Sequence, residues 1–139
     1  MIILIGSEEL VSEFEPDEEL TDSFPCMSAQ HYPREARAQL YSLVTGTFLD
    51  DAWEMEVLAH SVTEDGPYFF KLDDALVARL ADLDEDDIGQ YAELWLECEE
   101  LESLDPEVTD LYEFLYQLVH FCRTADADDE LGIYVFSDG

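Results

Sequence analysis

Two acidic stretches between Asp84 and Cys122 carry carboxylates at the spacing of successive helical turns. From Leu80 to Cys122 the chain has no lysine or arginine, while aspartate and glutamate occupy 14 positions. Side chains at i and i+4 of a helix lie about 5 to 6 Å apart, which is not far from the separation of successive phosphates along a nucleic-acid strand. A rigid row of carboxylates can therefore occupy a site built for a phosphate backbone. The residues expected on the exposed sides of two helices are Asp86, Glu93, Glu97 and Glu100 on the first, and Glu107, Asp110 and Glu113 on the second.

The net charge indicates what kind of molecule these carboxylates could bind. The chain has 36 acidic and 5 basic residues, for a formal charge of -31, so five cations cannot neutralise the acids in ion pairs. Such a surface repels nucleic acid and anionic membranes but attracts a basic protein through long-range steering. An acidic run can also be an ordinary solvated helix face, although a surface that serves only solubility normally mixes both signs.

Aromatic residues on the same helices are expected to divide between core and surface. Trp95 and Tyr112, at helical spacing, are typical of a buried face. Tyr116 is the one expected to be exposed, where an aromatic ring among acids suits contact with an arginine of a partner.

Metal binding and nucleophilic catalysis receive less support from the spacing of the residues. Asp82, Asp84, Asp86 and Glu93 occupy positions one, three, five and twelve of a calcium loop, but Asp87 stands where the sharp turn needs glycine. We therefore interpret Asp84 as a helix cap. The histidines and the three cysteines form no zinc motif, and an anionic setting does not lower a thiol pKa. We expect no metal, no cofactor and no enzymatic activity.

The elements that must position the acidic helices predict a single, mostly helical domain over residues 1–139, of the α+β or α/β class. A buried strand at Met1–Ile5 is expected to pair with a terminal strand at 131–136. In the first half, the sequence predicts a helix capped by Ser7, a loop over 20–32, and a helix from Pro33 to about Thr45 that stops at Gly46. A helix over 50–62 capped by Asp50 or Asp51, a turn at 63–67 and an extended segment at 68–72 follow. The second half has a helix capped by Asp73, a helix from Asp84 to Leu101, and a helix that starts at 105–107 with a buried face including Val108 and Tyr112. Arg34 and Arg37 are expected to pair with nearby acids.

The cellular location follows from the first residues and the cysteines. Met1–Ile5 is too short for a signal peptide or a membrane span. Cys26, Cys98 and Cys122 form no disulfide framework. We expect a cytoplasmic protein.

The second half of the chain resembles short bacterial proteins of no established activity. The resemblance rests on Leu76-Val77, Trp95, Glu99-Glu100-Leu101, Phe121-Cys122-Arg123 and the closing strand. The overall acidity is similar to that of bacterial immunity proteins and of phage inhibitors that mimic DNA, two classes that share no sequence motif. The resemblance assigns no functional residue.

Three hypotheses for function follow. The first is a non-catalytic inhibitor of the immunity or DNA-mimic type, in a toxin–antitoxin or anti-defence system, that covers the basic surface of a nuclease, a toxin or another nucleic-acid-binding protein. Its partner-binding residues would be the seven acids named above together with Tyr116. The second is a cytosolic protein of a halophile, in which the acids only hold water and ions. The third is an enzyme with a metal or a carboxylate pair. The sequence leaves the oligomeric state and the identity of the partner open.

Overall fold

Eight helices and one five-stranded sheet make up the described parts of the chain, which in this computed structural model are residues 2–29, 32–102, 104 and 106–137. Their bounds are β1 Ile2–Ser7, α1 Glu8–Ser12, α2 Leu20–Ser23, β2 Cys26–Ser28, α3 Arg34–Thr45, α4 Leu49–Trp53, β3 Glu56–Ser61, β4 Tyr68–Leu72, α5 Asp74–Ala81, α6 Glu85–Leu96, α7 Glu99–Glu102, α8 Val108–Asp126 and β5 Leu131–Ser137. Helices account for 52% of these residues, and the sheet is antiparallel, so the expected α+β class is confirmed.

The sheet has the strand order β2-β1-β5-β4-β3, with the two terminal strands at its centre. β1 and β5 pair from Ile2 opposite Phe136 to Ser7 opposite Leu131, so the predicted pairing is confirmed. A central strand covered on both faces needs apolar side chains pointing both ways. This explains the continuous apolar run at the start of the chain.

Alternate residues of the central strands face two different apolar clusters. Ile3 and Ile133 belong to the large core shared with the helices, whereas Leu4 and Tyr134 face a smaller cluster on the other side of the sheet. The smaller cluster is closed by aromatic rings from the segment after β1 and from β4, namely Phe14, Phe24 and Phe69.

Helices α5 and α8 pack on the other face of the sheet, α3 and α6 pack against them, and Trp95 of α6 lies between α3 and α8. Its indole is fully buried and donates from Nε1 to the Ala36 carbonyl at 2.8 Å. Its ring contacts Tyr32 and Phe114, with centroids 5.2 and 5.8 Å away. One side chain therefore joins α6 to α3 and to α8, which fixes the acidic helices relative to the core.

Local signals set several helix ends as predicted. The hydroxyl of Ser7 accepts from the amide of Leu10 at 3.2 Å, and Asp73 caps α5. Asp84 accepts from the amide of Asp87 at 2.8 Å, and the Asp87 carboxylate accepts in return from the amide of Asp84. This reciprocal cap confirms the interpretation of Asp84.

The predicted helix over residues 50–62 is wrong in its second half. The chain forms the short helix α4 and then strand β3, which pairs with β4 from Glu56 opposite Leu72 to Ser61 opposite Tyr68. No side chain of Asp50 or Asp51 caps α4, because Phe48 holds the N-cap position. The apolar residues of this segment fit neither the helical nor the strand periodicity clearly, so pairing with β4 decides its conformation.

Four other predictions are corrected. The predicted loop at 20–32 contains α2 and the edge strand β2. The predicted helix from Asp84 to Leu101 ends at Leu96, and α7 follows as a separate helix. α8 begins at Val108 after Glu107, which makes no side-chain cap, and Asp105 lies outside the described residues. Val108, predicted to be buried, is 39% exposed because it occupies the first turn, before α8 is covered by its neighbours.

Candidate interaction surface on the acidic helices

The few cations of the chain are all engaged inside the molecule. Arg37 donates from Nε and Nη2 to the two carboxylate oxygens of Glu56, both at 2.8 Å, and the side chains of both residues are 2% exposed. Lys71 lies 3.6 Å from Asp74. These are the two ion pairs found in the described ranges of the chain. The prediction that Arg37 pairs with an acid is confirmed.

The other three arginines bind backbone carbonyls near the ends of helices. Arg79 donates to the carbonyl of Val44 in the last turn of α3, at 3.0 Å. Arg123 donates to the carbonyls of Ala81 and Leu83, at and just beyond the end of α5. These cations satisfy carbonyls that a helix end leaves without a partner and therefore neutralise no surface acid.

Arg34 corrects a prediction, since no carboxylate pairs with it in the described structure. It donates to the carbonyls of Trp53 and Glu56 at 2.8 and 2.9 Å, and its guanidinium lies 5.3 and 5.4 Å from the ring centroids of Trp53 and Phe70. The planar guanidinium stacks between aromatic side chains while it binds the end of α4.

Helix α6 presents one stripe of unpaired carboxylates to solvent. Asp86, Glu93 and Glu97 are exposed, with exposed Gln90 between them, at positions i, i+7, i+11 and i+4. The opposite side of the helix carries the buried residues Ile88 and Trp95. Within the described ranges none of the three carboxylates has a hydrogen-bond or ion-pair partner.

The predicted acids of α8 are exposed as well. Glu107, Asp110 and Glu113 lie at and after the start of the helix without ion-pair partners in the described structure. Burial raises the pKa of Tyr32, and the charges of Asp110 and Glu113 add to this effect. The side chain of Glu100 is outside the described part of the structure.

A recess between α6 and α8 brings together acids and aromatic rings. It has a volume of about 390 Å³ and is lined by Glu85, Tyr112, Glu113, Tyr116 and Gln117. Tyr112 and Tyr116 are stacked with centroids 6.1 Å apart, and His120 meets the edge of Tyr116 at 4.5 Å. Tyr116 is 36% exposed, as its assignment to the surface predicts. Two carboxylates beside stacked phenol rings form a suitable setting for a guanidinium group.

Sequence reasoning missed Glu85, Tyr112 and His120 as parts of this surface. The spacing of Tyr112, Tyr116 and His120, each four residues apart, is a signal for a row of rings along one helix face. Glu85 could not be found in this way, because it meets the tyrosines only after α6 packs against α8.

Other acids extend the anionic surface beyond these helices. Eight aspartates and glutamates occur within residues 8–22, and four occur within residues 126–130. The edge strand β3 exposes the apolar side chains of Val57 and Leu58. Eight more exposed acids occur within residues 35–74, so exposed carboxylates also lie outside α6, α8 and these two segments.

Nothing in the described structure favours nucleophilic or metal chemistry. Burial, and secondarily the charge of Asp126, raises the pKa of the Cys122 thiol, and burial also raises the pKa of Cys98, where Glu97 adds to it. A thiol with a raised pKa is a poor nucleophile at neutral pH. Among the described side chains, no three His, Cys, Asp or Glu converge as metal ligands.

Comparison with known proteins adds no family to these observations. No family model, no curated protein and no solved structure matches the chain. No helix in the described ranges combines the length and the apolar character needed to cross a membrane.

Proposed function

We propose that this protein is a non-catalytic, cytoplasmic inhibitor that binds and covers the basic surface of a nucleic-acid-handling protein or toxin. The observation that carries the proposal is the set of exposed carboxylates on α6 and α8 that has no counter-ion within the described ranges, together with the recess in which Glu85 and Glu113 lie beside Tyr112 and Tyr116. The cations of the chain bind carbonyls, a buried carboxylate and Asp74 instead.

The mechanism is occlusion without chemistry. The stripe on α6 and the acids of α8 steer the encounter, since charge complementarity accelerates association by 10- to about 1,000-fold at low ionic strength. In the complex, the carboxylates take the places of phosphates, and an arginine of the partner enters the recess between Glu85 and Glu113. Trp95 keeps α6 and α8 rigid, so little ordering entropy opposes binding.

The first part of the experiment is a capture comparison. The tagged protein and two triple variants are incubated with host lysate, one variant being Asp86→Asn/Glu93→Gln/Glu97→Gln on α6. The control variant has the same change of charge on exposed residues between α1 and α2, and is Glu13→Gln/Asp17→Asn/Glu15→Gln. We expect the wild type and the control to retain a basic protein that excess duplex oligonucleotide displaces, and the α6 variant to lose it.

The second part measures the association rate with the captured partner at 50 and 500 mM NaCl. Screening shortens the range of charge interactions from above 10 Å to below 8 Å over this interval, so we expect the rate to fall steeply. Equal capture by the two triple variants, or a rate that does not depend on ionic strength, would refute the proposal.

The acids at 8–22 and 126–130 favour a second candidate, a protein adapted to strong brine. In that case carboxylates outside α6 and α8 serve only to bind water and ions. Such a protein unfolds in dilute buffer, whereas the proposed inhibitor remains folded there. Circular dichroism without added salt and in 3 M NaCl distinguishes the two candidates.

A further inference from the structure

The edge strand β3 presents an apolar rim that no other strand covers in the described parts of the chain. It lies at one end of the strand order, and β4 is its one strand neighbour within those ranges. Val57, Leu58 and Ala59 are consecutive and exposed, and the first two are 58 and 54% exposed. Edge strands normally carry a lysine, a proline or another charge that prevents pairing with a second chain. Residues 57–61 contain no lysine, arginine, proline or acid.

The hydrogen bonds of the β3–β4 pair show which backbone groups point out of the sheet. The carbonyl of Met55 accepts from the amide of Asp73 at 2.8 Å, so it points towards β4. Backbone groups alternate in direction along an antiparallel strand, so those of Glu56 and Leu58 point away from β4. The carbonyl of Glu56 agrees with this direction, since it accepts from Arg34 at 2.9 Å instead of from β4. The outward N–H and C=O groups of Leu58 have no partner in the described ranges.

The second half of β3 offers another outward pair of groups after a bulge. The pairing with β4 skips one residue between Leu58 and His60. The amide of Val62 donates to the carbonyl of Pro67 at 2.9 Å, so the backbone groups of Ser61 point away from β4. Leu58 and Ser61 therefore present two N–H and two C=O groups, three positions apart instead of two. A flexible peptide adjusts to this spacing more easily than a strand that is fixed in a sheet.

Acids at both ends of β3 select the charge of the added strand. Glu54 is exposed before the strand, and Glu64 and Asp65 are exposed after it, whereas Glu56 is buried against Arg37. Antiparallel pairing of β3 with a second copy would bring Glu54 of each copy towards Glu64 of the other, and parallel pairing would bring identical acids together. Like charges on neighbouring strands are destabilising. A segment with lysine or arginine at both ends meets opposite charges instead.

We propose that β3 binds an extended segment of a partner protein, which adds to the sheet as a further strand and has apolar residues in its centre and lysine or arginine at both ends. Its backbone pairs with Leu58 and Ser61, its central side chains cover Val57, and its cations meet Glu54 and Glu64. In strand addition, main-chain hydrogen bonds provide affinity and alternate side chains provide specificity. β3 shares no residue with α6, α8 or the recess between them, so this surface goes beyond the proposed function.

The test measures binding of the fluorescently labelled peptide Arg-Arg-Val-Thr-Ile-Val-Arg-Arg to the full chain in 150 mM NaCl, by fluorescence polarisation. Two versions of this peptide are N-methylated, one at the first and third central residues and one at the second and fourth. An added strand uses the donors along one of its edges. We therefore expect one version to bind like the unmodified peptide and the other to lose binding. A version with glutamate in place of arginine should not bind.

Variants of the chain locate the peptide on β3. Leu58→Pro removes an N–H that points away from β4, where an edge strand tolerates proline, and should weaken binding about tenfold through the lost hydrogen bond. Leu58→Ala should weaken binding about fivefold through lost apolar contact. Leu94→Ala, at an exposed leucine of α6, is the matched control and should leave the affinity unchanged. Glu54→Gln should weaken binding more than Glu93→Gln, which removes the same charge from α6.

Equal binding of the two N-methylated peptides would overturn the proposal, and so would equal affinities of Leu58→Ala and Leu94→Ala. In either case the peptide would lie on surface acids without pairing with β3. The comparison of peptides uses the wild-type chain, so it does not depend on the folding of Leu58→Pro. A dimer in sedimentation that Leu58→Pro dissociates would show that a second copy occupies the edge, and would also overturn the proposal. None of these results affects the inhibitor proposal, whose test uses α6.

Discussion

Replacing Glu56 with glutamine tests the buried ion pair that joins α3 to the edge strand β3. The Glu56 carboxylate accepts two hydrogen bonds from Arg37 and one of 2.6 Å from the hydroxyl of Tyr41, in a site where Arg37 and Glu56 are 2 and 3% exposed. Arg37 also donates to the carbonyl of Tyr32. Glutamine has nearly the same shape, but it offers one oxygen instead of two and no negative charge.

The expected loss follows from what remains in the core. The guanidinium of Arg37 keeps its charge while buried, and one of its donors then faces the amide nitrogen of the new side chain. Removing one partner of a buried ion pair costs about 3 to 5 kcal/mol, a large part of the 5 to 15 kcal/mol that stabilises a typical domain. With a urea slope of about 1.5 kcal/mol per molar, 3 kcal/mol moves the unfolding midpoint by about 2 M.

The assay is urea unfolding followed by tryptophan fluorescence, with Glu54→Gln as the control. Glu54 is exposed and two residues away, and the same substitution there should change the free energy of unfolding by less than about 0.5 kcal/mol. The triple variant Arg37→Met/Tyr41→Phe/Glu56→Met removes every member of the network and should regain most of the loss. If Glu56→Gln were as stable as Glu54→Gln, the ion pair would not hold β3 to α3.

Three further predictions concern stability. Arg123→Lys keeps the charge but loses the guanidinium group, whose donors bind the carbonyls of Ala81 and Leu83. The free energy of unfolding, measured in urea, should fall by about 1 to 2 kcal/mol. An unchanged unfolding midpoint would contradict a capping role for Arg123. Gly46→Ala should destabilise the protein by about 1 kcal/mol, because Gly46 has a φ of +71°. Gly89→Ala, in the interior of α6, should stabilise it by about 0.5 to 1 kcal/mol. Equal effects of the two substitutions would contradict the left-handed conformation of Gly46. Burial raises the pKa of the Cys122 thiol above its ordinary value of 9.0. Above pH 9 the unfolded chain therefore releases a proton that the folded chain keeps. The free energy of unfolding then falls as pH rises. Between pH 8 and 10 the wild type should lose about 1.4 kcal/mol more than Cys122→Ala, and equal losses would show that the thiol is not shielded.

The parts of the fold that the sequence predicts are those with local signals. The Asp84 carboxylate caps α6 by accepting from the amide three residues later, at Asp87. Gly46 ends α3 through its own left-handed backbone conformation. Strand β3 has no such signal. Its conformation depends on pairing with β4, and the acid at its first position is buried only because Arg37, 19 residues earlier, neutralises it.

The candidate site divides in the same way. Helical spacing is enough to place Asp86, Glu93 and Glu97 on an exposed face, since the buried face of the same helix is apolar. The recess depends on how α6 packs against α8. It cannot be predicted from the spacing of residues along the chain, because it forms between surfaces that meet only after folding.

The placement of the arginines explains how the fold tolerates so large an excess of negative charge. Carbonyls at the end of a helix carry partial negative charge and lack intrahelical partners, and Arg34, Arg79 and Arg123 each bind such carbonyls at the ends of α4, α3 and α5. A carbonyl without a donor is not satisfied by salt, whereas an exposed carboxylate is hydrated and screened. Three of the five cations therefore serve helix ends rather than surface acids. Five cations could not neutralise 36 acids in any arrangement, so using three of them at helix ends leaves the balance of surface charge almost unchanged.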